Sequence, residues 1–338
     1  MRKILWIFPN KSKQNSGIYK YNLELKKLVK KKSDITVFYN GKRPQYFFTF
    51  INKFIYLPLF LFLNSFKFDC VIYPEEGFAF LKVFSFSKQN KIIIHDYRKV
   101  FSDKNKINFY EVLKQRYLDF NFFFINHYEK IIVPSQFTKE LLIKYIPEIK
   151  NKIDVIPNII NFNKKIKKTN KLFKFIKLLS KKFKIIMCIS SKESRKNTSF
   201  IYEIAKYTNK MKFIIVGNVK KENISDNIYN FKNLSEANLS YIFKNSDFFL
   251  DVSLFEGFGR SLLEAQYFGV EVICFDTKSN KEILLNTANY MKKNISAKAV
   301  CDILSKKKIK DGEKRIKNAL NFSPKKIYSK FNKQINEI

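Results

Sequence analysis

Residues 247–276 read DFFLDVSLFEGFGRSLLEAQYFGVEVICFD. An apolar run of strand length (247–253) enters the turn Glu256-Gly257-Phe258-Gly259. A helical pattern follows over 260–268, Gly269 ends it, and a second apolar run begins (270–276). That order predicts a βαβ unit with two buried, parallel strands. The two glycines let the backbone take positive φ or come close to a ligand. The helix begins with unpaired N–H groups and the positive end of its dipole, which makes this turn an anion site. Glu264 stands about one turn into the helix and leans back toward its start, so it points at the mouth where Glu256 also sits. Two carboxylates beside an anion-binding turn suit a ligand that has both hydroxyls and phosphates.

The same rhythm extends in both directions. Apolar runs at 4–8, 35–39, 70–73, 91–95, 130–134 and 154–158 read as strands, with helical patterns at 18–31, 109–127 and 137–145. From residue 184 a second alternation begins. Strands are expected at 184–190, 212–217, 229–234, 247–253 and 270–276, and helices at 197–208, 236–245 and 260–268. Two βαβ halves predict an α/β chain of two Rossmann-like domains facing a cleft, with ligands outside the carboxyl ends of the strands. The expected partition is an N-terminal domain over 1–165, a Lys-rich linker over 166–183, a C-terminal domain over 184–310 and a basic helical tail over 311–338. Within the linker, the apolar spacing from 172 to 183 also fits a short amphipathic helix packed at the domain junction, or one touching a membrane.

Composition narrows the function. The chain has 338 residues, 46% hydrophobic and 17% aromatic, which is ample for two packed cores and excludes a disordered chain. Lys and Arg number 65 against 29 Asp and Glu, for a net charge of +36. Only seven of the basic residues are Arg. Proteins that grip nucleic acid favour the bidentate Arg fork, so biased residue usage and an anionic membrane surface explain the charge better. No nucleic-acid partner is expected.

The four Cys (70, 188, 274, 301) form no C-x-x-C pair and read as buried hydrophobes in a reducing compartment. The apolar run at the N-terminus is short and lacks a small-residue cleavage site, so it reads as a first strand. The aromatic segment 46–66 contains Asn52, Lys53, Pro58 and Asn64. These interruptions favour a buried or interfacial helix over a membrane span. Two His, and no Asp-x-Asp near a strand end, give no expectation of a metal.

The stretch 247–276, with its E-x7-E spacing in the context EGFG…LLEA, resembles the signature of glycosyltransferase family 4. This is a group of retaining GT-B enzymes whose nucleotide-sugar donor binds mainly to the C-terminal of two Rossmann-like domains. The resemblance covers about residues 1–330. It implies that Glu264 hydrogen-bonds the nucleotide ribose and that Glu256 contacts the donor sugar near the reacting centre. ISSKESRKNTSF (189–200) resembles the family's E-x-R-K-N stretch, which implies that Arg195 and Lys196 bind the donor diphosphate, together with Gly259. NSGIYKYNLEL (15–25) resembles the glycine loop, which implies a phosphate contact at Gly17. KIIIHDYRKV (91–100) resembles the "HD" segment, which implies that His95 touches the donor sugar.

A nucleotide-sugar is thus the expected substrate, and no cofactor or metal is expected. The acceptor implied is a glycan or a lipid-linked glycan of lipopolysaccharide or capsule synthesis. The expected location is cytoplasmic, peripheral on the inner face of the cytoplasmic membrane. Two rivals remain open: another GT-B activity, such as a nucleotide-sugar epimerase, and a basic nucleic-acid-binding protein on a Rossmann-like scaffold.

Overall fold

Each of the eleven apolar runs read as a strand becomes one in the computed structural model, and the pairing is parallel throughout. The structure describes residues 1–338 except 15, 30–32, 42–45, 98–108, 162–170, 220–224 and 307–310. They fall into two units, Met1–Ile159 with Pro324–Ile338, and Ile160–Ser323.

The first unit holds β1 (Arg2–Phe8), β2 (Ser33–Tyr39), β3 (Cys70–Tyr73), β4 (Gln89–Ile93), β5 (Lys130–Val133) and β6 (Ile153–Val155), in the order β2-β1-β3-β4-β5-β6. The second holds β7 (Lys184–Ile189), β8 (Met211–Val216), β9 (Ile228–Phe231), β10 (Phe248–Asp251), β11 (Glu271–Phe275) and β12 (Asn289–Met291), in the order β12-β11-β10-β7-β8-β9. Helices cover both faces of a parallel sheet, so central strands are buried on both sides and read as unbroken apolar runs. Ile185, Ile186, Met187 and Cys188 of β7 are fully buried. The twelfth strand, β12, goes beyond the eleven expected from the sequence. It has three residues, only Met291 is buried, and so short a polar piece leaves no apolar run to read.

The unit boundary also differs from the expected partition. Ile160 is buried in a core cluster of the second unit, and its N–H donates to the Phe322 carbonyl at 2.8 Å. Residues 162–170, which include the expected boundary and the start of the linker, lie outside the described residues. The rest of the expected linker is the helix Lys171–Lys182. Phe173, Ile176 and Leu179 bury one side of it, and Phe173 stacks on Tyr241 with ring centroids 4.0 Å apart. It is a packed layer of the second unit.

The expected tail divides in two. The helix Gly312–Leu320 packs on the helix Arg260–Tyr267, while the helix Pro324–Glu337 buries Ile327 and Ile335 in the first unit. A few well-placed isoleucines suffice to dock a helix whose overall composition is basic.

One glycine fixes how β8 leaves the second sheet. Gly217 has φ +140°, and a Cβ there would lie 1.9 Å from the Ser190 carbonyl oxygen, a backbone atom just after β7. Gly17 has open space around the position of a Cβ and sits in a helix. Gly217→Ala is therefore expected to lower stability by about 1–3 kcal/mol in a urea titration, whereas Gly17→Ala leaves it unchanged or raises it by about 0.5 kcal/mol.

Candidate active site

In the second sheet the first and fourth strands of the unit, β7 and β10, are neighbours. Their outgoing connections lead to opposite sides, so the sheet has its topological switch point there, the place outside the carboxyl ends where open parallel sheets bind ligands. The segments that follow these strands carry the charged residues singled out from the sequence. After β7 the chain makes a tight turn over Ser194–Lys196, closed by Asn197 in the left-handed region at φ +49°. Asn tolerates that conformation because its short polar side chain bonds locally. After β10 the chain runs through Ser253 to Gly259. The Leu254 N–H donates to the Arg195 carbonyl at 2.8 Å and ties the two segments together.

Arg195, Lys196 and Glu256 meet in one network. Arg195 Nη1 lies 3.1 Å from Glu256 Oε1 and 3.3 Å from the Phe255 carbonyl, and its Nε lies 2.7 Å from Glu193 Oε2. Lys196 Nζ donates to the same Glu256 Oε1. All three side chains are largely buried. Burial by itself would push the Glu256 carboxyl up. Lys196 and then Arg195 outweigh it and hold Glu256 below the usual carboxylate range.

Asp251, the last residue of β10, behaves in the opposite way. It is 5% exposed and sits between Cys188 of β7 and Cys274 of β11, its register partner. Its Oδ1 accepts from the Ser253 N–H at 3.0 Å and from the Ser253 hydroxyl. Its Oδ2 is buried without a hydrogen-bond partner among the described residues. Burial raises its pKa despite the attraction of Lys196, and the Glu256 charge raises it further. The two carboxyl groups thus shift in opposite directions, one lowered by cations and the other raised by burial. The buried thiols of Cys188 and Cys274 are pushed up, which makes them poor nucleophiles.

Gly259 caps the helix Arg260–Tyr267 at φ +77°, and a Cβ there would come within 2.7 Å of Leu262 Cδ1. Only glycine fits without a shift. Glu264 is buried in that helix, with its Oε1 2.8 Å from Arg260 Nε. In the first unit, His95 follows β4 and its Nε2 donates to the Pro74 carbonyl at 3.1 Å, while Tyr21 meets its ring edge-on at 5.3 Å. Gly17 is the first residue of the helix Gly17–Val29 and does not have positive φ. The Ser16 hydroxyl accepts from the Tyr19 N–H at 3.2 Å and caps the start. Among the described residues no group of three or more His, Cys, Asp or Glu is placed to hold a metal ion.

Sequence reading missed Asp251, Ser253, Glu193 and Arg260. One available signal was the scarcity of Arg. Every Arg of the second unit pairs with a carboxylate: Arg195 with Glu193 and Glu256, Arg260 with Glu264, and Arg315 with Glu271. In the second unit of a chain that otherwise writes Lys, Arg stands where a planar fork holds a carboxylate.

Residues 169–320, nearly the whole second unit, match the family model for glycosyl transferases group 1. This unit is a group 1 glycosyl transferase domain. Solved structures resemble the chain over its full length. HepE of Anabaena in complex with UDP and glucose aligns at a TM-score of 0.73 with 14% identity, covering 100% of both chains. Sucrose-phosphate synthase of Thermosynechococcus elongatus aligns at 0.69 with 12% identity, covering 100% of this chain and 99% of that one. A glycosyltransferase of Rickettsia africae aligns at 0.61 with 18% identity over 99% and 98%. No curated protein sequence matches. The fold is GT-B, and the charged network follows the first and fourth strands of the unit that matches the group 1 model.

The split titration of the two acids has a stability consequence. The pKa of Asp251 is raised on folding, so the folded chain holds that proton more tightly than the unfolded chain. The wild type therefore loses stability as pH climbs from the unfolded value of about 4 to the raised folded value, then levels off. Asp251→Asn removes that loss. In thermal unfolding between pH 3 and 8, the difference in stability is expected to move in favour of the Asn variant as pH rises through that window, and to stay constant above it.

Proposed function

We propose that the chain moves a sugar from a nucleotide-sugar donor to a glycan or lipid-linked acceptor, with retention of the anomeric configuration. The observation that carries this reading is the meeting of Arg195, Lys196 and Glu256 at the switch point of the group 1 domain. In the reaction the acceptor hydroxyl oxygen bonds to the anomeric carbon and the bond to phosphate breaks. The electron pair leaves with the diphosphate, which takes up the hydroxyl proton. Charge grows on the leaving group, and Arg195 and Lys196 are fixed cations that stabilise it without reorganising. The helix start at Gly259 adds partial positive charge. Glu264 accepts from the ribose hydroxyls, while Glu256 and His95 contact the sugar. Two protein cations supply the neutralisation, so no metal or other cofactor is assigned. The UDP and glucose in the HepE structure support the donor class, and retention rests on the family resemblance.

The acceptor is proposed to be a growing surface polysaccharide, lipopolysaccharide or capsule, on a lipid carrier at the inner face of the cytoplasmic membrane. An uncovered apolar surface of the first unit supports this. The segment runs as helix Tyr46–Ile51, a wide turn Asn52–Tyr56 and helix Leu57–Asn64. The wide turn sits just before Pro58, which lacks an N–H. Leu57, Pro58 and Leu61 pack inward, while Phe47, Phe48, Ile55, Leu59 and Phe62 are each more than half exposed. Phe62 meets the exposed Phe86 at 5.5 Å, which widens the patch.

Residues Phe47–Lys67 are long and apolar enough to cross a bilayer by length and composition. However, Lys53 folds over the rings of Phe78 and Tyr117, at 4.0 and 5.2 Å, and the inner face belongs to the core. We therefore assign docking in the plane of the membrane. Residues 35–68 contain four cations and no Asp or Glu, which suits an anionic surface.

Glu264→Gln and Arg195→Ala are expected to cut sugar transfer at least about tenfold while the protein stays folded, and full turnover in both would overturn the site assignment. Thermal shifts against UDP-, GDP-, ADP- and CMP-sugars identify the donor. The wild type is expected to co-sediment with vesicles containing anionic lipid at low salt, and a Phe62→Ser/Phe86→Ser variant to do so several-fold less. Absence of wild-type binding would remove the membrane assignment alone.

A further inference from the structure

One oxygen atom at the switch point is asked to do two things. Glu256 Oε1 receives both Arg195 Nη1, at 3.1 Å, and Lys196 Nζ. These are the donors that the function proposed above assigns to the diphosphate, and the present inference rests on that assignment. A phosphate oxygen and a carboxylate oxygen accept the same charge-assisted N–H bonds. A carboxylate and a diphosphate placed on two shared cations repel each other, so they cannot both keep the contact.

The backbone around the network is braced. Leu254 N–H holds the Arg195 carbonyl, Ser253 is pinned to Asp251, and Glu193 Oε2 grips Arg195 Nε at 2.7 Å. Glu193 leaves Nη1 as the part of the guanidinium that faces Glu256. Any exchange is thus one of side-chain partners and needs no loop to open.

We propose that Glu256 is an internal competitor for the donor. The diphosphate that takes Arg195 and Lys196 displaces the Glu256 carboxylate from them, so donor capture and the release of Glu256 toward the sugar are one exchange. The reverse exchange follows transfer: Glu256 retakes its cations as the nucleoside diphosphate leaves, which opposes product retention. The acid that looks like a sugar contact also sets the affinity for the nucleotide. Weaker nucleotide binding is then a designed consequence of the ion pairs and not a defect of the site.

The test is calorimetric titration of the full chain with UDP, GDP, ADP and inorganic pyrophosphate, with sugar transfer measured in parallel. Glu256→Gln is expected to bind the preferred nucleoside diphosphate about tenfold more tightly, as one charge-assisted competitor is removed, while transfer falls. Glu256→Asp keeps the charge and shortens the reach. It is expected to move affinity in the same direction, and it serves if the Gln variant does not fold. Glu193→Gln removes an equal charge but leaves Nη1 and Lys196 on Glu256, so affinity changes by less than about threefold.

Equal tightening in Glu193→Gln and Glu256→Gln would reduce the effect to general charge and overturn the exchange. Unchanged or weaker binding in both Glu256 variants would overturn it too, provided Lys196→Met still loses affinity. If Lys196→Met and Arg195→Ala both bind every diphosphate as the wild type does, the donor site itself is misplaced and the exchange falls with it.

Discussion

The contact of Glu256 with Arg195 and Lys196 is the interaction that gathers charge at the switch point of the second unit. Its partners are about sixty residues apart in sequence. They meet because β7 and β10 are neighbours in a parallel sheet whose connections diverge at that point. Parallel pairing requires crossover connections, crossovers create a switch point, and the switch point leaves a gap at the carboxyl ends where charged side chains can gather without entering the core. Asn197 in the left-handed region and Gly259 at φ +77° are the local backbone devices that turn each segment back toward that gap.

Charges gathered in a largely buried place are expensive unless they satisfy one another. Here the account balances in an instructive way. Two cations hold Glu256 below the usual carboxylate range, whereas burial raises Asp251, one of whose oxygens has no partner among the described residues. Such a network is a weak argument for stability, since a buried ion pair often contributes little net energy over an apolar replacement. It is a stronger argument for function, because residues with pKa values driven apart by burial and specific charges concentrate where substrates bind. The braces around it, Ser253 on Asp251 and Leu254 on Arg195, hold main chain and leave the charged ends able to change partners.

The first unit presents a different constraint. Its aromatic segment places three residues into the core and leaves a row of phenylalanines in the open. A patch that large on a soluble surface invites association. The absence of any carboxylate across residues 35–68, in a chain of net charge +36, favours a negatively charged and apolar partner, which is what a membrane interface offers. The Lys53 ammonium turns inward over the Phe78 ring and so is withdrawn from the exposed apolar row.

The sequence alone determined the two parallel sheets, because strands buried on both faces must be written as continuous apolar runs. Eleven of them could be read that way. The resemblance of 189–200 and 247–276 to family stretches also pointed to Arg195, Lys196 and Glu256 as candidates. Only the tertiary structure decided the rest. The amphipathic stripe of Lys171–Lys182 is legible as a stripe, but periodicity names no partner, and Ile160 and Tyr241 decide that it packs into the second unit. β12 is too short and polar to signal itself. Asp251 reads as one more acid in a strand, and its altered titration comes wholly from the burial and charges that surround it once β7, β10 and β11 are side by side. Local pattern reports what a segment can bury, whereas electrostatics depends on distances that exist only after folding.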